Sequence, residues 1–428
     1  MLLEFTVGNF LSFKERERLN LNAAAIKKHA GTNLITTGRH KLLKSVVIYG
    51  ANSSGKSNLI QAMDVMRGLV LESFERSSLS ELGVIPFLLQ KGYEKKPSYF
   101  EVLFLIDGVK YRYGFEVDNV LVKAEWLFKS EKQAEKPLFI REGDDIEVRK
   151  IFTEGRGLEE KTRDNTLFLV VADRFNGKTA KVIINWFRDF VSISGLGHEL
   201  YRKVTFDMFD DKKTEFLLQA FFDTVDLGFD AVKLTKREVA NLSKDSRGSI
   251  LRKSVKPYSA MVRAKTLHKR YDEENREIDP VDFDMQAYES VGTNKVFNIV
   301  GLIFTTLLHG GILVIDELDS SLHPLLTLTI IKLFNSKEYN LKNAQLIFAT
   351  HDTNLLSYGD YRRDQIYFVE KDPFGASDLY SLMEYKEEGS NKTLRKDCSF
   401  EKDYIQGRYG AIPFIGNFSD LMQGWQGK

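Results

Sequence analysis

The chain has 428 residues, of which 43% are hydrophobic and 28% are charged, and it contains only 8 prolines. This composition is typical of a globular protein and argues against disorder over most of the length, while the length predicts two or three domains. A net charge of +1 argues against a constitutive nucleic-acid binder, although a local basic patch is compatible with it. Cys398 is the only cysteine, which excludes an intrachain disulfide and fits a reducing compartment. The N-terminus lacks a basic segment, and no apolar run reaches the ~18 residues of a membrane span, so we expect a cytoplasmic protein without a membrane partner.

The first 150 residues have the pattern of strands arranged around one loop and one helix. Alternating apolar residues predict a strand over 1–13, and an apolar run predicts a buried strand over 45–49, followed by a helix over 57–74. Strand-like runs separated by Asp-Gly and Asp-Asn turns come next, which is typical of an antiparallel meander. They cover 99–106, 110–117, 124–130 and a hairpin over 137–150.

The loop between the buried strand and the helix carries the most specific motif. Its glycines, lysine and serine have the spacing and the strand–loop–helix setting of a phosphate-binding P-loop. The glycines let backbone amides approach a phosphate chain, and the helix N-terminus favours negative charge. Lys56 would reach the β- and γ-phosphates of ATP, and the Ser57 hydroxyl would ligate Mg²⁺. The predicted nucleotide-binding residues of this loop are Gly50, Asn52, Ser53, Ser54, Gly55, Lys56, Ser57 and Asn58.

The rest of the chain mixes helical and strand patterns. Apolar periodicities over 162–240 predict amphipathic helices, and the basic stretch 241–256 predicts a loop. Strands that end in loops opening helices imply a parallel sheet, which binds ligands at the carboxyl ends of its strands. The later predicted elements are strands within 262–289, a helix over 294–309, a strand over 311–315, a helix over 323–335, and strands over 345–349 and 366–370.

Two of these strands end in residues suited to ATP chemistry. The strand over 311–315 is followed by Asp316 and Glu317, a Walker B pattern. Asp316 would hold Mg²⁺, and Glu317 would orient the attacking water. The strand over 345–349 leads to His351, which can contact a γ-phosphate from a strand end beside the P-loop strand. We therefore expect Glu317 and His351 to be catalytic.

A third element lies just ahead of the Walker B strand. Ser290 and Gly292 form a Ser-x-Gly turn that opens an apolar helix, which is a second anion-binding site. It has no phosphate of its own to bind in the same subunit. The economical interpretation is that it caps the nucleotide of a partner subunit, together with Thr293 and Lys295. The alternative is an ordinary helix N-cap by Ser290 or Thr293.

The combined motifs resemble the ABC-type ATPase heads of the SMC/RecF kind and, more narrowly, the bacterial ATPases of the AAA15/AAA21 group. The resemblance implies an α/β fold: a P-loop ABC-type head with a parallel-sheet core, an antiparallel β meander and an inserted, mostly helical subdomain. The corresponding domains are an N-terminal lobe over 1–150, a helical insertion over 151–260 and a C-terminal lobe over 261–428. The segments that carry the resemblance are 5–13, 50–58, 289–293, 316–324, His351 and 406–413.

The resemblance also implies a mode of action, in which two subunits sandwich ATP head to tail. ATP binding would close a homodimer and hydrolysis would open it. Asp319 would belong to the D-loop, and Gln90 would be the Q-loop residue, although a helix or strand terminus explains Gln90 equally well. One subunit's Lys56, Ser57, Asp316, Glu317 and His351 would face Ser290, Gly292 and Lys295 of the other.

The AAA15/AAA21 group resembles the ATPase half of abortive-infection phage-defence systems, such as the AbiL/RloA type and the ATPase of PARIS. There the ATPase senses a trigger, such as DNA or a phage protein, and controls a separately encoded effector, often a Toprim nuclease. OLD nucleases carry that Toprim domain on the same chain. The segment after His351 is too short for one, and Asp360, Asp364 and Asp372 form no convincing metal cluster. We therefore expect an effector that acts in trans.

Three other functions are compatible with the motifs. A RecF-like DNA-repair or DNA-end-binding ATPase would bind duplex DNA through basic residues of 241–256 and 262–270, although the near-neutral net charge weighs against it. A transporter subunit would need a membrane partner and a fuller Leu-Ser-Gly-Gly-Gln signature than 289–293 provides. A nucleotide-gated scaffold with little turnover would keep every motif.

Overall fold

Two large sheets of opposite character organise the protein, whose computed structural model describes residues 1–131, 134–236, 262–385 and 399–413. The first sheet is antiparallel and has seven strands. Its consecutive hairpins confirm the meander that the sequence predicts. In spatial order its strands are β10 (Asp145–Val148), β9 (Ala134–Glu142), β8 (Val122–Glu131), β7 (Val109–Val117), β6 (Ser98–Ile106), β1 (Leu2–Gly8) and β2 (Glu17–Asn20).

The second sheet has six strands and contains the parallel core. Five strands run parallel, and the last one is antiparallel at the edge. The first strand in this order lies within 162–240, where the sequence predicts helices, and the last strand was not predicted; both lack the continuous apolar run of the other parallel strands. In spatial order the strands are β11 (Phe190–Ser194), β15 (Ile312–Asp316), β16 (Gln345–Ala349), β5 (Ser45–Tyr49), β17 (Ile366–Lys371) and β18 (Ser377–Ser381).

The central sheet separates two hydrophobic cores. On β5, Val46 and Ile48 enter one core, and Val47 and Tyr49 enter the other, as the alternation of side chains along a strand requires. The antiparallel sheet closes the first core with α1 (Lys56–Glu72), α2 (Phe168–Arg174) and α3 (Lys178–Arg188). The second core contains residues of α4 (Arg202–Phe209), α5 (Lys212–Val225), α6 (Met285–Tyr288), α7 (Val291–His309), α8 (Pro324–Asn335), α9 (Asn354–Tyr358) and α10 (Phe400–Ile405).

Helix α7 is long and apolar enough to cross a membrane by composition alone, but 78% of its most apolar window is buried inside the protein. Its hydrophobicity is therefore explained by its position in the second core. Two small sheets complete the β structure of the described residues. They are β3 (Leu34–Thr37) with β4 (His40–Leu43), and β12 (Ala231–Lys236) with β13 (Val262–Tyr271) and β14 (Glu277–Asp284).

The middle of the chain contributes to both cores. Helices α2 and α3 pack in the first core, β11 joins the central sheet, and α4 and α5 pack in the second core. The domain boundaries at 150 and 260 stay predictions. The predicted basic loop over 241–256 lies outside the described residues.

Two buried polar side chains tie distant segments to the central sheet. The Gln345 side-chain amide accepts a hydrogen bond from Leu2 N (2.6 Å) and donates to the carbonyl oxygens of Leu2 and Leu43 (3.0 Å each). The fully buried Arg362 donates to both carboxylate oxygens of Asp364, at 2.9 and 2.7 Å. It also donates to three carbonyl oxygens of the segment 24–28. The guanidinium therefore holds that segment against the chain just before β17.

We predict that Arg362→Ala lowers the free energy of unfolding by about 3–5 kcal/mol, because it leaves the Asp364 carboxylate buried without its cation. Denaturant titration of the purified protein measures this change. Arg276→Ala is the matched control, since Arg276 pairs with Asp272 and Glu274 but its side chain is 72% exposed. We expect the control to change stability by less than about 1 kcal/mol. Equal losses in the two variants would contradict the anchoring role.

Candidate nucleotide-binding site

The P-loop connects β5 to α1, and two serines from other segments of the chain pack against it. A Cβ on Gly55 would lie 2.3 Å from Ser377 Oγ and 2.8 Å from Ser12 Oγ, and the φ of Gly55 is +119°. Only glycine fits this position. Ser377 Oγ is 2.5 Å from the carbonyl oxygen of Ser54 and 2.7 Å from Ser12 Oγ, which accepts a hydrogen bond from Asn58 Nδ2. Two segments that are distant in the chain, at Ser12 and Ser377, therefore fix the shape of the loop.

Lys56 is the first residue of α1, and its side chain is only 5% exposed. Its ammonium donates to the carbonyl oxygens of Gly50 (2.8 Å) and Ala51 (3.0 Å), so it crosses the mouth of the loop. Burial lowers the pKa of Lys56, and the nearby carboxylates of Asp316 and Glu317 oppose that shift. A phosphate chain would supply the anionic partner that this buried cation lacks.

The end of β15 places two carboxylates beside the loop. Asp316 Oδ1 is buried and has no hydrogen-bond partner among the described residues. Its oxygen and the exposed Ser57 hydroxyl are donors of the kind that Mg²⁺ prefers. Glu317 adopts a left-handed backbone conformation with φ of +52°, which is uncommon for a non-glycine residue and concentrates at functional sites. The residues present therefore fit a magnesium ion.

His351 follows β16 and is joined to the loop after β15. Its backbone N–H donates to Asp319 Oδ2 at 3.3 Å. Burial lowers the pKa of His351, Lys56 lowers it further, and the carboxylates of Asp319 and Glu317 oppose these effects. Asp319 thus positions the His351 segment within the same chain, rather than lining the cavity beside the P-loop.

One open cavity of about 450 Å³ brings together the predicted residues 52–58, Glu317 and His351, whereas Gly50 and Asp316 do not line it. Its size is that of a small-molecule site. A lysine at the end of β17, Lys371, lines it as well, although the sequence analysis did not single it out. The rule that ligands sit at the carboxyl ends of parallel strands could have found this residue. The lining consists of residues 52–58 with Glu317, His351 and Lys371.

The predicted signature residues lie at the start of α7, outside this cavity. Ser290 is the N-cap of α7, and its Oγ accepts a hydrogen bond from Thr293 N at 3.0 Å. A Cβ on Gly292 would lie 2.5 Å from the carbonyl oxygen of Ser321. Gly292 is therefore required for packing against the loop after β15 in the same chain. The N-cap alternative is confirmed for Ser290, and a contact of this helix end with a partner's nucleotide stays a prediction.

The structure contradicts the expectation that Lys295 reaches a partner's nucleotide. Its side chain is completely buried, and its ammonium lies 2.7–3.1 Å from oxygens of Glu317, Leu318 and Ser320. Burial lowers its pKa to about 8, although the carboxylates of Asp319 and Glu317 raise it. Lys295 instead ties α7 to the loop that follows Asp316.

The structure also corrects the assignment of Gln90 as the Q-loop residue. Gln90 is exposed, lies in a turn before Tyr93, and does not line the cavity. The strand end beside Asp316 belongs to β11, whose Ser194 pairs with Asp316. Gly195 then donates its N–H to the carbonyl oxygen of Asp316 at 2.7 Å. Because β11 was not recognised in the sequence, no residue at the end of this strand was considered for the Q-loop role.

Walker A, Walker B and a histidine therefore meet at the carboxyl ends of neighbouring parallel strands, beside an antiparallel sheet. This arrangement defines a P-loop ATPase head of the ABC type. A protein-family model described as "AAA domain, putative AbiEii toxin, Type IV TA system" matches residues 45–357, and the chain belongs to this AAA-domain family. No curated protein matches the chain in sequence. Among solved structures, the SMC head domain from Thermotoga maritima aligns with 14% identity and a TM-score of 0.38, over 89% of this chain and 98% of that one.

We predict that Lys295→Met lowers the free energy of unfolding at pH 7 by about 3 kcal/mol, because buried carbonyl oxygens lose their donor. The pKa of Lys295 is lowered from 10.5 to about 8, so between these pH values the unfolded chain binds the proton that the folded chain has lost. The stability of the wild type relative to Lys295→Met should therefore rise from pH 8 to pH 10. Denaturant titrations at several pH values test this, with Lys181→Met, an exposed position on α3, as the control. A pH-independent difference would contradict the buried ammonium.

Proposed function

We propose that the protein binds ATP with Mg²⁺ and hydrolyses the bond between the β- and γ-phosphates. The observation that carries this proposal is that Lys56, Glu317 and His351 line one cavity together with the P-loop. The backbone amides of the loop and the N-terminus of α1 would hold the phosphates, as at other helix N-termini. Hydrolysis needs a group that orients water, and Glu317 is the carboxylate that lines the cavity.

Each residue has a distinct task in this proposal. Asp316 and Ser57 would hold Mg²⁺, which neutralises charge that develops on the phosphates when bound. Glu317 accepts a hydrogen bond from the attacking water and so aligns it. His351 has a lowered pKa, so it is neutral near pH 7 and can donate one ring N–H to a phosphate oxygen.

We infer that the complete site needs two copies of the chain. Ser290 starts α7 with an exposed end, and Val291 beside it is 66% exposed although it is apolar. The N-terminus of α7 favours an anion, and it does not line the cavity of its own chain. A head-to-tail homodimer would place this end against the partner's nucleotide, with two equivalent sites.

We propose that this ATPase cycle controls a separately encoded effector, such as a Toprim nuclease, in the cytoplasm and in defence against phage. The proposal rests on the resemblance to abortive-infection ATPases and on the family description, which refers to a toxin of a toxin–antitoxin system. DNA or a phage protein would act as the trigger. The conformational cycle of the dimer would hold the effector in one state and release it in the other.

The charges of the small β12–β13–β14 sheet weigh against the alternative of a RecF-like DNA-binding ATPase. Arg263, Lys265 and Lys269 each lie within 4.0 Å of a carboxylate of the same chain. Cations that already have internal partners offer a weak phosphate-binding surface. These three residues therefore give the RecF-like alternative little support, while the stretch 241–256 lies outside the described residues.

We predict that Lys56→Ala abolishes measurable ATP binding and that Glu317→Gln retains it while hydrolysis falls by at least a hundredfold. The first change removes the cation that faces the phosphates, and the second removes only the carboxylate that orients water. Isothermal titration calorimetry and phosphate release measure the two effects. Wild-type protein that binds ATP but turns over no faster than Glu317→Gln would establish a nucleotide-gated scaffold instead.

We predict that Val291→Asp reduces hydrolysis at least tenfold and leaves ATP affinity unchanged. A carboxylate at the first position of α7 suits the helix, but it would face the partner's triphosphate. Val291→Ser is the neutral control. A mixture of Val291→Asp with Lys56→Ala should regain up to about half of the wild-type activity per heterodimer, because one site then receives both changes and the other neither. A mixture that stays inactive despite proven heterodimers would remove the head-to-tail arrangement.

A further inference from the structure

Lys371 is a second lysine of the nucleotide cavity, and its side chain has no ion-pair partner among the described residues. It lines the cavity with residues 52–58 and is exposed, and its side chain forms no hydrogen bond or ion pair with the described residues. Lys56, by contrast, is buried and bonded to carbonyl oxygens of the P-loop. The cavity thus contains one buried cation held by carbonyl oxygens and one exposed cation that has no charged partner among the described residues.

The fold fixes the place of Lys371 beside the P-loop. Strand β17 runs parallel to β5, with Phe368 opposite Tyr49. A Cβ on Gly50 would lie 2.4 Å from the carbonyl oxygen of Val369, so the end of β17 touches the start of the loop. Lys371 then pairs with Ser377, whose Oγ is hydrogen-bonded to the loop at Ser54.

The turn that follows Lys371 is well defined. Asp372 accepts hydrogen bonds from the backbone N–H groups of Phe374 (2.9 Å) and Ala376 (2.8 Å). Gly375 takes the left-handed conformation, with φ of +85°, that closes the turn. The backbone at Lys371 is therefore held by the hairpin on one side and by the P-loop on the other, and its position does not depend on a bound ligand.

The order of the strands decides which part of a nucleotide Lys371 can reach. Glu317 and His351 follow β15 and β16, which lie on one side of β5, whereas Lys371 ends β17 on the other side. The residues suited to hydrolysis therefore mark the γ-phosphate side of the cavity. Lys371 stands on the opposite side, near Ser377 and the Asn58 end of the loop.

We propose that Lys371 binds the α- and β-phosphates, which ATP and ADP share, on the side of the cavity opposite Glu317 and His351. The inference rests on the proposed nucleotide binding at the P-loop and extends it to a residue outside the P-loop and Walker B motifs. A flexible ammonium on an exposed strand end acts as a point charge for phosphate. Since ADP retains these phosphates, Lys371 holds the nucleotide before and after cleavage. It therefore slows the release of ADP.

The test is isothermal titration calorimetry of ATP and ADP with the purified full chain and Mg²⁺. Lys371→Met removes the charge but keeps an unbranched side chain, and Lys371→Arg keeps the charge. Lys181→Met is the matched control, because it removes an exposed lysine of α3 that does not line the cavity. We expect Lys371→Met to weaken both nucleotides about tenfold, an effect of roughly 1.4 kcal/mol. Lys371→Arg and Lys181→Met should stay within about threefold of the wild type.

Three results would overturn the assignment. Unchanged affinity in Lys371→Met would show that the ammonium does not contact the nucleotide. Weaker binding of ATP alone would place Lys371 at the γ-phosphate. An equal loss in Lys181→Met would reveal a general effect of net charge. Wild-type protein that binds neither nucleotide would remove the proposed function itself, whereas wild-type binding with an unaffected Lys371→Met would remove only this inference.

Discussion

The parallel hydrogen bonding of β11, β15, β16, β5 and β17 is the constraint on which the site depends. Parallel strands bring their carboxyl ends to one edge, so segments that are far apart in the chain meet there. Asp316 and His351 reach the P-loop only because β15 and β16 lie between β11 and β5. The two cores on either side of this sheet then hold the strands in place, since apolar side chains alternate between them.

The hydrogen bonds that hold the P-loop and α7 in place are as important as the convergence of the strand ends. The serine contacts beneath Gly55 join the loop after β1, the P-loop and the β17–β18 hairpin. On the other side, Lys295 joins α7 to the segment Glu317–Ser320. Arg202 and His198 bond to Asn298 of α7, so the segment after β11 is attached to the same helix. Hydrogen bonds therefore connect α7 both to Glu317 and to the segment that follows β11.

This connection gives a physical basis for the proposed dimer cycle. In the proposed dimer, the exposed N-terminus of α7 would sense a partner's nucleotide, and the hydrogen bond from Lys295 to the Glu317 carbonyl oxygen would transmit the position of α7. Glu317 is held in a left-handed conformation, which costs energy that the surrounding contacts must balance. Binding on one subunit would thus bear on the catalytic carboxylate of the other through a short chain of hydrogen bonds. The effector would respond to this change in the dimer.

The sequence by itself determined the local features, namely the P-loop, the Walker B carboxylates and the meander, whereas it left the N-cap at Ser290 as an alternative. These depend on neighbouring residues, such as glycine spacing, apolar runs and turn dipeptides. Only the tertiary structure shows that the ammonium of Lys295 is satisfied internally, that Gln90 lies away from the cavity and that Lys371 lines it. A lysine in an apolar helix has the same sequence pattern whether its ammonium is satisfied internally or faces a ligand, and only packing separates the two. Strand order likewise cannot be read from the chain, because β11 and β17 join the sheet through contacts between distant segments.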